Sequence, residues 1–164
     1  MRRCSALLVL TLTACSSGKP GASGQSFDPV QFFAGHTQGD ATLHILTGSS
    51  RHVAVDSNGI PDGHGGLVLD QTIREQGSRM RTRRWVLHPA GSNRWSGTLT
   101  DADGRVRVER TPANVVIHYR MKNGTEVEQR LQQDRAARTV SNHMTVSRFG
   151  VRLATLDERI RKLD

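Results

Sequence analysis

After residue 40 of this 164-residue sequence, apolar and polar residues alternate with a period of two, and Gly, Asn, Asp or Pro interrupts the alternation at short intervals. A period of two is typical of strands with one buried face, and closely spaced turns indicate antiparallel hairpins. So many short strands in one domain favour a closed, antiparallel up-and-down barrel, which has no exposed edge. We predict ten strands, at residues 41–47, 51–57, 66–76, 79–88, 93–101, 105–110, 113–121, 125–132, 138–147 and 150–161.

Two turns test the strand register, because only one register keeps each face of a hairpin uniform. A three-residue loop at residues 122–124, with Gly124 in the left-handed conformation, keeps one face apolar. It sets Leu131, Gln129, Val127 and Thr125 beside Val115, Ile117, Tyr119 and Met121. At residues 103–104 the same test favours a two-residue loop, which places Trp95 and Leu99 on the face of Val106 and Val108.

Residues 27–35 carry the signals of a short helix before the first strand. Asp28 suits the N-cap, Pro29 suits the first helical position, and Phe27 can pack against Phe32. We therefore predict one short N-terminal helix.

Residues 151–163 fit two patterns. One helical stripe would contain Leu153, Leu156, Ile160 and Leu163. Alternation of Leu156 and Ile160 with charged residues instead fits a strand, although Glu158 then falls on the inner face. We predict a strand, with a helix as the alternative.

The N-terminus predicts export. Residues 1–14 combine a basic start with an apolar run at residues 6–12, which is far too short to span a bilayer. Leu12-Thr13-Ala14-Cys15 resembles the bacterial lipobox. The resemblance implies cleavage before Cys15, a thioether from Cys15 to diacylglycerol, and acylation of its new amino group. The alternative is an ordinary signal peptide cut near Ala14.

Residues 15–26 follow as a lipidated cysteine with a tether rich in Ser, Gly and Pro, which reaches about 20 Å as a coil. Ser16 stands where lipoproteins kept in the inner membrane usually carry Asp, so the resemblance implies the outer membrane of a Gram-negative cell, with the periplasmic face favoured. The folded domain then occupies residues 27–164.

Composition excludes several classes of function. Removing two arginines with the signal leaves 21 Lys and Arg against 15 Asp and Glu, a formal charge of +6. Neither Cys4 nor Cys15 remains as a thiol for a disulfide, a nucleophile or a metal. The seven histidines lack ligand spacing, and His44 and His52 across a hairpin would supply only two ligands. We expect no metal, no cofactor, no catalytic site and no binding of nucleic acid, since no reader motif accompanies the basic charge.

Several short motifs occur in a characteristic order: Phe33-Ala34-Gly35 with Gly39, Leu67-Val68-Leu69-Asp70-Gln71, Arg83-Arg84-Trp85, and Arg148-Phe149-Gly150-Val151. In this order they resemble the lipocalin-like lipoproteins of the domain of unknown function 3833 family. The resemblance implies an all-β, calycin-type barrel in the cell envelope and carries no assigned activity. Gln71 departs from the family pattern, which tends to place a carboxylate there.

The inner face of the predicted barrel carries polar side chains among apolar ones. Tyr119, Gln129 and Asn142 can orient the head group of an amphipathic ligand. Its tail would lie among Ile117, Met121 and Met144. The alternative is a filled barrel in which the polar groups bond to one another.

A second candidate site lies on one strand, where alternation places Arg79, Arg81, Arg83 and Trp85 on the same side. This cluster can bind a lipid phosphate or another anion. The alternative is a solvated outer surface with an Asp70–Arg83 ion pair.

We therefore expect a monomeric, non-catalytic lipoprotein that is anchored in the membrane through its N-terminal lipid. Its barrel would bind or carry an apolar or amphipathic small molecule. The alternative is a structural or partner-binding envelope protein with a filled barrel.

Overall fold

The computed structural model describes residues 26–134 and 138–164. They form a closed antiparallel barrel, with strands ordered β1-β10-β9-β8-β7-β6-β5-β4-β3-β2 around the ring and one short helix, α1. The predicted fold class is confirmed. Cys15, the signal and most of the tether lie outside the described residues. The elements are α1 Pro29–Phe33, β1 Gly35–Ile45, β2 Arg51–Pro61, β3 Leu67–Glu75, β4 Arg81–Pro89, β5 Arg94–Leu99, β6 Ala102–Arg110, β7 Val115–Met121, β8 Glu126–Gln133, β9 Thr139–Arg148 and β10 Val151–Lys162.

Alternation of burial along each strand produces the core. In β6, for example, Val106 and Val108 are buried while Arg105 and Arg107 are exposed. Because successive side chains of a strand point to opposite faces, the barrel interior collects the apolar set and the exterior carries the charges. Among the described residues, the structure contains no helix with the length and hydropathy needed to cross a bilayer.

Helix α1 covers one end of the barrel, which we call the helix end. The Asp28 carboxylate caps it by accepting the Val30 N–H at 2.9 Å, as predicted, and the Phe27 and Phe32 rings meet edge to face at 5.3 Å. At its C-terminus, the Lys162 ammonium donates to helix carbonyl oxygens, including that of Phe32 at 3.1 Å. The last strand therefore holds the helix in place through a cation at its negative end.

The opposite end consists of the five hairpin turns between β1 and β2, β3 and β4, β5 and β6, β7 and β8, and β9 and β10, and we call it the hairpin end. The β7–β8 turn has the predicted register, with Tyr119 opposite Val127 and the Met121 N–H donating to the Thr125 carbonyl at 2.8 Å. Gly124 has φ +83°, the left-handed conformation the three-residue loop requires.

The predicted two-residue loop at residues 103–104 is wrong. The chain turns earlier, because the Thr100 N–H still bonds to Arg84 of β4 at 3.0 Å, while the Asp101 carbonyl already accepts the Lys122 N–H at 3.0 Å. Residues 103–104 instead fall within β6, where the pairing with β7 shifts register. The observed register between β5 and β6 differs from the predicted one by an even number of residues, so each side chain keeps its predicted face. Trp95, Leu99, Val106 and Val108 therefore all remain buried.

Residues 151–163 form a strand for nearly their whole length, as predicted. β10 pairs with β9 on one side and with β1 on the other, and these ladders close the ring. The strand therefore satisfies its backbone groups on both edges, which a helix at this position would leave open in β1 and β9.

Candidate functional site

A row of polar side chains crosses the interior on four neighbouring strands. The ladders align Thr37 with Ser57, Ser57 with Gln71, and Gln71 with Arg83. Each of these residues occupies an inward position of its strand; Gln71, for example, lies between the buried Leu69 and Ile73. Because side chains alternate along each strand, Thr37, Ser57, Gln71 and Arg83 form one polar belt on the interior of an otherwise apolar half of the barrel.

Gln71 is the centre of this belt. Its amide oxygen accepts the Arg83 Nε–H at 2.8 Å and the Trp85 indole N–H at 2.6 Å, and its amide nitrogen donates to the Ser57 hydroxyl at 3.0 Å. The Arg83 guanidinium also lies 5.3 Å from the centre of the Trp85 ring, a cation–π distance. Both the Arg83 stem and the Trp85 ring are thereby fixed in orientation.

The facing wall carries a second polar set, which includes the three predicted head-group residues. The Gln129 amide donates to the Tyr119 hydroxyl at 3.1 Å, and the Asn142 amide donates to the Gln129 oxygen at 3.2 Å. The Asn142 amide also donates to Glu158 at 2.9 Å. The Tyr119 ring meets the Trp85 ring edge to face at 5.5 Å, which joins the two walls.

A cavity of about 60 Å³ lies between these walls. Its volume suits a few water molecules or one small polar group. The Asn142 side-chain oxygen is buried there without a hydrogen-bond partner in the described chain. The residues around the cavity are Pro29, Phe33, Leu67, Leu69, Gln71, Arg83, Trp85, Leu87, Val108, Ile117, Gln129, Leu131, Asn142, Glu158 and Ile160.

The electrostatics of the cavity are dominated by Arg83 and Glu158. Arg83 forms no ion pair within residues 26–134 and 138–164, and its bonded partner Gln71 is neutral. Burial raises the pKa of the Glu158 carboxyl, while the Asn142 hydrogen bond and the Arg83 charge act in the opposite direction. Burial likewise raises the pKa of Tyr119. The cavity is therefore a poorly solvated site with a cation on one wall that interacts with Glu158 but forms no ion pair with it.

Glu158 gives a pH-dependent prediction. Its raised folded-state pKa means that its contribution to stability is fully present below the unfolded value of 4.5 and is lost as pH rises through the folded value. The Glu158→Gln variant lacks this titration. We expect the free energy of unfolding of the wild type, relative to the variant, to fall as pH rises above 4.5. Denaturant titrations across that range measure the difference, and parallel curves for the two proteins would contradict the assignment.

The predicted arginine surface cluster needs correction. Trp85 is buried, and Arg83 points inward to Gln71, because the ladder places Asp70 opposite Arg84 and not opposite Arg83. The Asp70 pair is therefore with Arg84, at 2.6 Å, and the predicted Asp70–Arg83 pair is wrong by one residue. Arg79 and Arg81 remain exposed, and Arg81 pairs with Glu75 at 3.2 Å.

The predicted tail residues divide into two groups. Ile117 lines the cavity beside Gln129. Met121 and Met144 do not line it; they are partly buried and pack against the core nearer the hairpin end. The reason is their position along the strands, since Met121 is the last residue of β7 and Met144 lies opposite Leu156.

The importance of Gln71, Arg83 and Glu158 was missed at the level of the sequence. Gln71 was noted only as a departure from a family pattern, Arg83 was placed outside, and Glu158 was counted against a strand. The alternation of each strand could have revealed the inward direction of two of these residues. Gln71 faces the same side of its strand as the buried Leu69, and Arg83 faces the same side as the buried Trp85.

The histidines do not form a metal centre in the part of the chain that the structure describes, where no three metal-binding side chains cluster. His52 contacts Asp40 at 2.8 Å, and His44 contacts Ser50 at 2.9 Å. The two histidines predicted to approach each other thus bond to different partners.

Comparison with known proteins gives a family and a fold. The profile of a family of proteins of unknown function, DUF3833, matches residues 9–162. No curated protein matches the chain. An S-type phycobiliprotein lyase from Guillardia theta is 7% identical with a TM-score of 0.61, over 82% of this chain and 91% of the lyase. A protein of unknown function from the DUF3598 family of Nostoc punctiforme is 11% identical with a TM-score of 0.58, over 90% of this chain and 53% of that protein. Both likenesses concern the fold.

Proposed function

The chain belongs to the DUF3833 family, and from the interior of its barrel we propose that it binds a small amphipathic molecule with an acidic head group. In this proposal the protein is a binding module without catalytic activity, anchored to the cell envelope through Cys15. The similarity of its barrel to that of a phycobiliprotein lyase is compatible with small-molecule binding.

The observation that carries the proposal is the unpaired guanidinium of Arg83 at a cavity with an unpartnered polar atom. Arg83 forms no ion pair among the described residues; Gln71 fills its Nε position, the Tyr119 hydroxyl also interacts with it, and Glu158, whose pKa burial raises, acts on it only across the cavity. A partly buried cation without a paired counter-ion is costly, and a carboxylate or phosphate supplies a direct charge-assisted bond. The free Asn142 oxygen, on the other wall, accepts a hydroxyl or a protonated acid.

The tail of such a ligand would extend beyond the cavity, because a volume of about 60 Å³ holds the head group alone. In this proposal the tail reaches toward the hairpin end, where Met121 and Met144 pack against the core. Both methionines are partly exposed, and Met144 packs against both apolar clusters of the core. Methionine side chains adapt to irregular shapes, which suits them to contact a flexible apolar tail.

The location of the protein in the cell forms the second part of the proposal. Lipidation of Cys15 would hold the barrel at the outer membrane, on the periplasmic side, through the tether of residues 15–26. The family match begins at residue 9 and so includes this cysteine. One acyl chain binds membranes only marginally, whereas two or three give stable anchoring.

A filled, partner-binding barrel is the second candidate, and the small cavity favours it. The two candidates differ in one measurement. Native mass spectrometry of protein purified from its own envelope under mild conditions should show a fraction with an added small mass, which collision releases as an acidic amphiphile. Arg84→Gln protein, altered just outside the barrel, should carry the same mass. Only apo protein in both preparations, together with no uptake of decanoate, would support the filled barrel and contradict ligand binding.

A further inference from the structure

Exposed apolar side chains gather at the hairpin end of the barrel. Of the seven large apolar residues exposed in the described chain, five lie in or directly beside three of its turns: Leu46, Met80, Phe149, Val151 and Leu153. Phe149 has 91% of its surface exposed, and Leu46 has 65%. The β1–β2 and β9–β10 turns are direct neighbours, because the Leu46 N–H donates to the Leu153 carbonyl at 2.9 Å. Protruding apolar groups at one end of a domain mark an interaction surface.

Cations without acidic partners surround these apolar groups. Arg79, Arg148 and Arg152 are exposed and form no ion pair within the described residues. The Arg148 guanidinium lies over the Phe149 ring at 5.3 Å. The exposed acids near this end include Asp103 of β6 and Glu126 of β8, and Glu126 pairs with Arg120 at 3.1 Å rather than with these arginines. Arginine beside exposed aromatic and aliphatic groups is the composition that favours an anionic lipid surface.

The backbone at the tip of the β9–β10 turn supports a role beyond folding. Phe149 has φ +51° and Gly150 has φ +77°, the pair of positive values that defines a type I′ hairpin turn. Asn-Gly is the preferred sequence there, and a bulky residue in this region of φ is strained. Phe149 gains almost no burial in return for this strain. Strain of this kind, uncompensated by packing, points to a function of the exposed ring.

We infer that the hairpin end docks on an anionic bilayer surface. Phe149, Val151 and Leu46 enter the interfacial region, and Arg148 and Arg152 bind lipid phosphates beside them. A bilayer fits better than a protein partner, because the apolar groups protrude from separate turns and lie beside arginines that have no acidic partner among the described residues. The inference is independent of ligand binding. Because Ser26 lies at the helix end, docking by the hairpin end requires the tether to run along the barrel in an extended form, which spans about 35 Å for residues 16–26.

Site-directed fluorescence tests the orientation in the full-length chain. Phe149→Trp places a tryptophan at the hairpin end, and Ile60→Trp places one at an exposed apolar position of the helix end as the matched control. Both proteins are mixed with vesicles of phosphatidylglycerol and phosphatidylcholine with brominated acyl chains. The native Trp85 and Trp95 are buried in both proteins and contribute the same background. We expect strong quenching with Phe149→Trp and at least about twofold less with Ile60→Trp. Equal quenching of the two variants would overturn the inference. So would quenching of Phe149→Trp that is as strong in vesicles of phosphatidylcholine alone as in vesicles that contain phosphatidylglycerol.

A second variant separates binding from folding. In the full chain carrying Cys15→Ala, so that acyl chains do not contribute, Phe149→Asn should weaken binding to phosphatidylglycerol vesicles by about tenfold. The same change should leave Tm unchanged or raise it by about a few degrees, because Asn-Gly suits the turn better than Phe-Gly. Unchanged binding would overturn the inference, and so would a clearly lowered Tm, since Phe149 would then act in the fold.

Discussion

The Arg83→Gln variant is expected to lose about 100-fold in affinity for decanoate, the simplest probe with a carboxylate head and an apolar tail. The glutamine can still donate to Gln71, but it removes the positive charge from the wall of a poorly solvated cavity. Charge-assisted bonds to a carboxylate are strong in such surroundings because water does not screen them. Isothermal titration of the full chain with decanoate measures the loss.

Arg84→Gln is the matched control for this experiment. Arg84 is the next residue along β4, but its side chain is outside the barrel and pairs with Asp70 at 2.6 Å. An exposed ion pair of this kind contributes little, so decanoate affinity and Tm should both remain close to the wild type. Equal losses in the two variants would contradict a site inside the barrel.

The Gln71→Glu variant tests the same site by changing Gln71, the residue that accepts the hydrogen bond from Arg83. The carboxylate would lie where the Gln71 oxygen now accepts the Arg83 and Trp85 N–H groups at 2.8 and 2.6 Å. This carboxylate would form an ion pair with the Arg83 guanidinium inside the barrel and so compete with the head group of an acidic ligand. Decanoate binding should therefore weaken in the same direction as with Arg83→Gln, while a neutral alcohol of equal chain length should bind unchanged.

The Cys15→Ala variant is expected to lose all lipid attachment, the largest effect of any substitution proposed here. Only the cysteine thiol can form the thioether to diacylglycerol, so the variant should incorporate no labelled palmitate and should leave the membrane fraction. Each buried methylene contributes about 0.8 kcal/mol to anchoring, and this contribution disappears entirely. Metabolic labelling followed by fractionation gives both readouts.

Cys4→Ala is the internal control for lipidation, since Cys4 lies within the predicted signal peptide of residues 1–14. It should label like the wild type, and globomycin should accumulate precursor of that variant. Normal palmitate incorporation by Cys15→Ala would refute the lipobox assignment and leave ligand binding in the barrel unaffected.

Alternation along the chain was sufficient to predict ten strands, their antiparallel pairing and the closed ring, although β1 begins at Gly35 rather than residue 41 and β2 continues to Pro61 rather than residue 57. The β7–β8 register was also predictable, because only one loop length keeps charge away from Tyr119 and Ile117. The β5–β6 turn was not, since an even shift in register leaves every side chain on the same face and so gives no signal in the pattern.

The candidate site was predictable on one wall and not on the other. Gln129, Asn142 and Tyr119 share a face with apolar neighbours, and the structure joins them by hydrogen bonds. Arg83 was placed outside because an ionisable residue within a strand usually faces solvent, whereas Glu158 was placed correctly on the inner face but not recognised as part of the site. Their burial depends on partners from distant strands, such as Gln71 and Asn142, which a single strand does not reveal.

The pairing of β1 with β10 also has a consequence for biogenesis. The ladder that closes the ring joins residues 37–45 to residues 154–162, so the barrel cannot be completed until residues 154–162 have been synthesised. Pairing over such sequence distances is slow, because a long loop must be ordered before the contact forms. For a chain that is exported as proposed, this delay favours the unfolded state that a secretion channel accepts, and folding is completed on the far side of the membrane.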